Sequence, residues 1–175
     1  MKLIECVPNF SEGRDRTVID AITDEIAAVE GAALLDVDPG AATNRTVVTF
    51  VGSPDVVEEA AFRAIAKAAQ LIDMSRHHGE HPRMGATDVC PFVPVEGATM
   101  EDCIEIARRL GERVGTELGI PVYLYEHAAD GGRRSLADVR SGEYEGLAAR
   151  DDAPDFGPVF NASTGATAIG ARQFL

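Results

Sequence analysis

A chain of 175 residues, 45% hydrophobic and 26% charged, is long enough to bury a core, and a single domain over residues 1–175 is the expectation. Its formal charge of -13, from 29 acidic against 16 basic side chains, argues against nucleic acid and anionic membrane surfaces as partners, because phosphate is repelled overall. Cys6, Cys90 and Cys103 form no CxxC pair and are odd in number, so no disulfide framework or Cys-rich zinc site is expected, and a reducing, cytoplasmic setting is.

Residues 3–7 read as a short strand stopped by Pro8, and Glu5 interrupts the apolar run that a signal peptide needs. After a polar turn over 9–16, Val18, Ile19, Ile22 and Ile26 recur at helical spacing. Residues 32–37 and 46–51 are β-prone runs, and Pro39-Gly40-Ala41-Ala42-Thr43 suits a hairpin-like return between antiparallel strands. Ser53-Pro54-Asp55 offers an N-cap, a first-turn proline and an acid at the positive helix end, opening a long helix through Val57, Ala61, Ile65, Ala68 and Ile72. Residues 89–95 form a strand whose Pro91 and Pro94 cannot donate to a ladder, which predicts an edge or a bulge. Residue 99 opens a helix with Ile104, Ala107, Leu110 and Val114 on one face, and Gly119 ends it. A strand over 122–125, a short helix over 135–139 and an apolar segment over 167–175 complete the chain.

The order βαββαβ followed by αβ predicts an α+β fold. Its core is ferredoxin-like, with an αβ extension, a mixed sheet and helices packed on one face. No run approaches ~18 apolar residues, so no membrane span is expected. The glycine-rich stretch over 165–170 lacks the Gly-Lys-Ser/Thr of a phosphate loop.

His77, His78 and His81 fall within five residues after a helix end, in a segment punctuated by Gly79, Pro82 and Gly85. A loop histidine there can exchange a proton near neutral pH. Spacing alone leaves three readings open: acid/base catalysis, a metal site, and solvated or helix-capping histidines. The metal reading is weakened by Gly79 and Pro82, which break the helix that would align His77 with His81. Asp36 and Asp38 point to one face by the period of two, and Asp38 either reaches the loops or closes the turn before Pro39-Gly40. Asn44, Arg45 and Arg83 add planar, multi-donor groups suited to carboxylates or a pterin edge.

Read together, Glu5-Cys6-Val7-Pro8-Asn9-Phe10-Ser11-Glu12-Gly13, Asp36-Val37-Asp38, Thr43-Asn44-Arg45-Thr46, Asp73-Met74-Ser75-Arg76-His77, Glu80-His81-Pro82-Arg83-Met84-Gly85-Ala86, Asp88-Val89-Cys90-Pro91-Phe92, Pro121-Val122-Tyr123-Leu124-Tyr125 and Pro154-Asp155-Phe156-Gly157-Pro158 closely resemble the formiminotransferase family, in its N-terminal subdomain. The resemblance runs from residue 4 to residue 175. It implies transfer of a formimino group from N-formimino-L-glutamate to N5 of tetrahydrofolate in histidine breakdown, with His81 as catalyst and Asp38 assisting it. It also implies that Gly157, Pro158, Val159, Phe160, Asn161, Ala162, Ser163, Thr164 and Gly165 bind folate, which is a co-substrate, and that no metal or tightly bound cofactor is needed. Asn44, Arg45 and Arg83 are the candidates for substrate carboxylates.

One histidine suits that chemistry, because N5 must lose a proton on attacking the formimino carbon and the departing glutamate nitrogen must gain one. A carboxylate at Asp38 would orient the imidazole and stabilise its cation. Family transferases have two similar halves, and this sequence corresponds to the first. The expected partner is therefore a C-terminal half, a partner chain carrying it, or a second copy in a homodimer. The rival readings are a folate-binding or regulatory module without turnover and a purely structural subunit.

Overall fold

The computed structural model describes residues 1–131 and 134–173. Its first extended segment is broken at Val7 and Pro8 into β1 (Leu3–Cys6) and β2 (Asn9–Phe10). Helix α1 (Arg16–Ala27) starts where Asp15 accepts the Thr17 amide, satisfying a donor left over at the helix start. Strands β3 (Ala33–Gly40) and β4 (Arg45–Gly52) form the expected antiparallel hairpin, with Gly40 opposite Arg45 and Asp38 opposite Val47. Helix α2 (Pro54–Leu71) follows Ser53. Strand β5 (Thr87–Glu96) leads to α3 (Met100–Leu118), which opens in a Thr99/Asp102 capping box and ends at Gly119 in the left-handed region. Then come β6 (Val122–Glu126), α4 (Leu136–Arg140) and β7 (Thr167–Ala171). Residues 174 and 175 of the expected final apolar segment lie outside the described residues.

The strands make one sheet in the order β3, β4, β1/β2, β5, β7, β6. The first four positions are antiparallel and form the ferredoxin-like core, while β7 runs parallel between β5 and β6. The edge-or-bulge expectation for β5 holds at Pro94 and not at Pro91. Beside Pro94 the register slips between Leu3 and Ile4, and β7 no longer accompanies the strand. Pro91 is internal. It is tolerated because it faces the β1/β2 break, where its carbonyl accepts from the Val7 amide and Pro8 likewise accepts from Val48. Strand β2 falls inside the stretch expected to be a polar turn.

Alternation along β4 places Thr46, Val48 and Phe50 on the buried face and Arg45, Val47 and Thr49 on the other. Helices α1 to α3 cover the first face, over a core that includes Ile4, Ile26, Phe50, Ile65, Phe92 and Leu110. The expectation of helices on one face holds for these three. The short α4 lies on the opposite face, where Val139 and Leu147 pack with Tyr123, Tyr125 and Ala168. The three cysteines are free and buried, Cys6 and Cys90 with sulfurs 3.6 Å apart, and burial pushes the Cys103 thiol up to about 12. No helix among the described residues is long and apolar enough to cross a membrane.

The strand directions bring the starts of β4 to β7 and the ends of β2 and β3 to one end of the sheet. The loops over 11–15, 41–44, 72–86 and 157–166 therefore meet there. Gly85 and Gly165 bridge two of them, and a Cβ on Gly85 would lie 1.9 Å from the Ala166 carbonyl oxygen. Gly119 has nothing within 4 Å, so a side chain there meets only the cost of its positive φ. Gly85→Ala is expected to destabilise by about 3 kcal/mol through backbone overpacking, against about 1 kcal/mol for Gly119→Ala. Urea denaturation of the two variants checks the difference, and equal losses would show that the loops do not meet this closely.

Candidate active site

His81 sits immediately before Pro82, and a residue before proline is pushed toward extended backbone. Its Nδ1 lies 2.7 Å from the Pro82 carbonyl oxygen and its Nε2 lies 2.7 Å from Nη1 of Arg45. A carbonyl can only accept, so Nδ1 carries a proton that it donates to Pro82, and the same Arg45 Nη1 lies 3.4 Å from Nδ1, which places the guanidinium against the face of the ring. Burial, and then the like charge of Arg140, holds the Arg45 guanidinium below the ordinary arginine range.

His77 plays a different part. It is buried, its Nδ1 accepts from Nε of Arg83 at 3.0 Å, and its Nε2 donates to the Asn44 carbonyl at 3.1 Å. Burial, and then the charge of Arg83, holds His77 below the ordinary histidine range. With both ring nitrogens engaged, it has none left for a metal. Arg83 spends all five donors inside the chain: Nε on His77 Nδ1, Nη1 on Glu143 and Glu145, Nη2 on the His77 carbonyl and Glu145. Bonding to Arg83 brings the Glu145 carboxyl down to about 2.

Asn44 is similarly occupied. It takes a positive φ of 52° in the β3–β4 turn, accepts the Gly13 amide at 2.9 Å and donates to the His78 carbonyl at 3.0 Å. Of the three residues expected to hold substrate carboxylates, the structure leaves Arg45 facing open space, whereas Asn44 and Arg83 tie the loops together.

Asp38 is exposed and shares the open face of the sheet with Arg45, one cross-strand pair away. Its charge acts on Arg45. It is not the partner of Nδ1, which the Pro82 carbonyl occupies. The acid whose field reaches His81 is Asp88, wholly buried at the start of β5. Burial pushes its carboxyl up, while the Arg140 ion pair at 2.5 Å and the Met84 amide at 2.7 Å pull it down. Met84 belongs to the histidine loop, so Asp88 anchors that loop directly.

Arg45 and Arg140 also line a trough of about 360 Å³ on the open sheet face, with Val7, Val89 and Pro91 along its floor and Tyr125, Leu136, Arg172 and Gln173 among its other lining residues. Its size suits a small ligand. Among the described residues the buried Nε of Arg140 has no hydrogen-bond partner.

The expected folate stretch, Gly157 to Gly165, is an irregular loop. Asn161 folds its end by accepting from Ser163 and Thr164 and by donating to Gly119, at the close of α3. The Thr164 carbonyl accepts from Ala86, and that of Ser163 from Met74, so this loop abuts the His81 loop. Val159 and Phe160 project their apolar side chains into solvent, 71% and 38% exposed.

Sequence reasoning missed Asp88, Arg140 and Glu145. An acid at the head of an otherwise apolar strand was a usable signal for Asp88. Arg140 and Glu145 carry none, because each is an ordinary charged residue of a surface segment until the loops close.

The N-terminal subdomain of the formiminotransferase domain, as a family, matches residues 3–172. The formimidoyltransferase-cyclodeaminase of Sus scrofa is 58% identical across 99% of this chain and 33% of its own length. The glutamate formimidoyltransferases of Thermoplasma acidophilum and Streptococcus pyogenes are 52% and 47% identical, across 100% and 99% of this chain and 60% of their own lengths. The chain thus spans between about a third and three-fifths of the curated relatives it matches. By these matches the chain belongs to the formiminotransferase family, as an N-terminal subdomain.

Proposed function

We propose that this chain supplies the acid/base histidine and one wall of a glutamate formimidoyltransferase, acting on N-formimino-L-glutamate and tetrahydrofolate. The observation that carries the reading is His81: a partly exposed imidazole whose Nδ1 is tied to the Pro82 carbonyl and whose ring lies against Arg45, an arginine of the trough, in a chain that the family matches over residues 3–172. N5 of the folate attacks the formimino carbon and gives its proton to Nε2. The tetrahedral diamine then collapses as Nε2–H protonates the departing glutamate nitrogen. A C–N bond forms, another breaks, and the histidine ends as it began.

Asp38, Arg45 and the loop over 157–165 surround this chemistry in the proposed site, with Val159 and Phe160 as the apolar surface available to a pterin. Asn44 and Arg83 act as positioning residues. A second half, carried by a further segment, a partner chain or a second copy, closes the site, in keeping with the greater length of the relatives.

His81→Ala, with the C-terminal half supplied, should keep its circular dichroism spectrum and lose at least about 10²-fold in kcat, the scale of a lost acid/base group. Turnover equal to wild type would remove His81 from the mechanism; folate binding by calorimetry without transfer in the wild type would make the chain a binding module instead.

Burial of His77, and then the charge of Arg83 beside it, sets a pH dependence of stability. The unfolded chain takes up a proton near the usual ~6.5, whereas native His77 resists it, so the unfolded state binds more protons as pH falls. Stability from this source is present above about pH 6.5 and is lost as pH drops toward the lower native value. Urea midpoints at pH 7.5 and 5.5 should therefore differ more in wild type than in His77→Gln. An identical pH dependence in the two proteins would show that His77 is not held neutral.

A further inference from the structure

Three successive residues after α4 grip Arg83, and the middle one faces two ways. The Glu143 carboxylate accepts from the Arg83 amide and Nη1, and Glu145 accepts from Nη1 and Nη2 at 2.8 Å each. Between them the Tyr144 amide donates to the Arg83 carbonyl at 2.9 Å. Glu143 holds a positive φ of 54°, a backbone conformation that costs a residue with a side chain free energy, and the bonds to Arg83 keep it there. The main chain of Tyr144 is thus committed to the histidine loop. Its ring is half-buried against the apolar clusters on both faces of the sheet, and its hydroxyl donates to the Ala162 carbonyl at 2.5 Å.

The loop that Tyr144 reaches is otherwise held by main chain at this point. Of the successive carbonyls over 161–164, Asn161 accepts from Gly165, Ser163 from Met74 and Thr164 from Ala86, each a backbone amide. Ala162 accepts instead from a side chain, so one hydroxyl joins the two loops through an atom that a substitution can remove without disturbing the backbone or the ring.

We propose that Tyr144 is a positioning residue whose hydroxyl presets the loop over 157–165 against the histidine loop, so that folate meets a surface already shaped beside His81. This deepens the formimino-transfer reading and rests on it. Val159 and Phe160 stand in solvent, placed by the segments on either side of them. On one side Gly157 packs so closely that a Cβ there would lie 2.4 Å from the Ile120 carbonyl oxygen, and on the other stands the Ala162 bond. A loop ordered before binding relieves the ligand of the entropy of ordering it. Without the hydroxyl that cost falls on folate binding, while the bound state, and with it the chemical step, stays as it was.

Tyr144→Phe keeps the ring and removes the bond. In transfer assays with the C-terminal half supplied, it should raise the KM for tetrahydrofolate roughly 5-fold, the scale of one hydrogen bond, and leave kcat and the KM for formiminoglutamate at their wild-type values. An unchanged folate KM overturns the proposal, and so does an equal rise in both KM values, which a general loosening of the fold would produce. Amide hydrogen exchange in the 175-residue chain gives a readout independent of turnover. The amides of Thr164 and Gly165, which bond to Asn161 within the loop, should exchange faster in Tyr144→Phe, while those of Val48 and Phe50 in β4 keep their rates. Unchanged exchange at 164 and 165 overturns the proposal. A wild type that transfers nothing removes the formimino reading and leaves exchange to decide whether Tyr144 holds the loop.

Discussion

A buried guanidinium has five N–H donors, and each one left without an acceptor costs free energy, so Arg83 dictates the shape of everything around it. It draws in the ring and the carbonyl of His77, and it reaches across 60 and 62 residues to Glu143 and Glu145. His77 in turn donates to Asn44. One cation thus locks the loop after α2 to the hairpin turn before β4 and to the segment after α4. His81 lies two residues from Arg83, so its position is set by a network to which its own side chain contributes nothing. Removing one partner from such a network strands the others, which makes it stiffer than the same number of exposed ion pairs.

Much of the fold was legible because the responsible signals are local. Capping by Ser53-Pro54 and Thr99, the glycine stop at 119 and the alternation through Val48 and Phe50 each act within a few residues. What escaped were decisions made by distant segments. Strand β2 exists only because β4 and β5 lie on either side of it, and β7 takes its place between β5 and β6 for reasons of three-dimensional packing. Pro91 read as an edge residue, yet sits inside the sheet opposite a break that no local rule places.

The site divided along the same line. The three histidines were conspicuous in the sequence, and the resemblance selected His81, but spacing held no means of telling a catalyst from a structural tie. The structure separates the two rings by burial: His77 is buried with both ring nitrogens on inward partners, while His81 is partly exposed beside an arginine of the trough. Asn44 and Arg83 looked like ligand-binding groups for the property that makes them good ties, namely several donors in a fixed plane. Asp88 was hidden by its burial, since an acid in a strand has no local signature for the arginine 52 residues away that it meets.

Net charge and local charge then play separate parts. The excess of 13 negative charges repels a polyanion such as nucleic acid. A small carboxylate is affected by the nearest few groups, and within the trough these are Arg45, Arg140 and Arg172 against Glu5. Two of those arginines differ in a way that matters. Arg140 is pinned to Asp88 from below, so it is a fixed charge; Arg45 rests against the His81 ring, with Asp38 and Asp88 acting on it. A fixed cation favours any anion that enters. Arg45 adds a cation directly beside the His81 ring, so an anion drawn to it is brought next to that histidine.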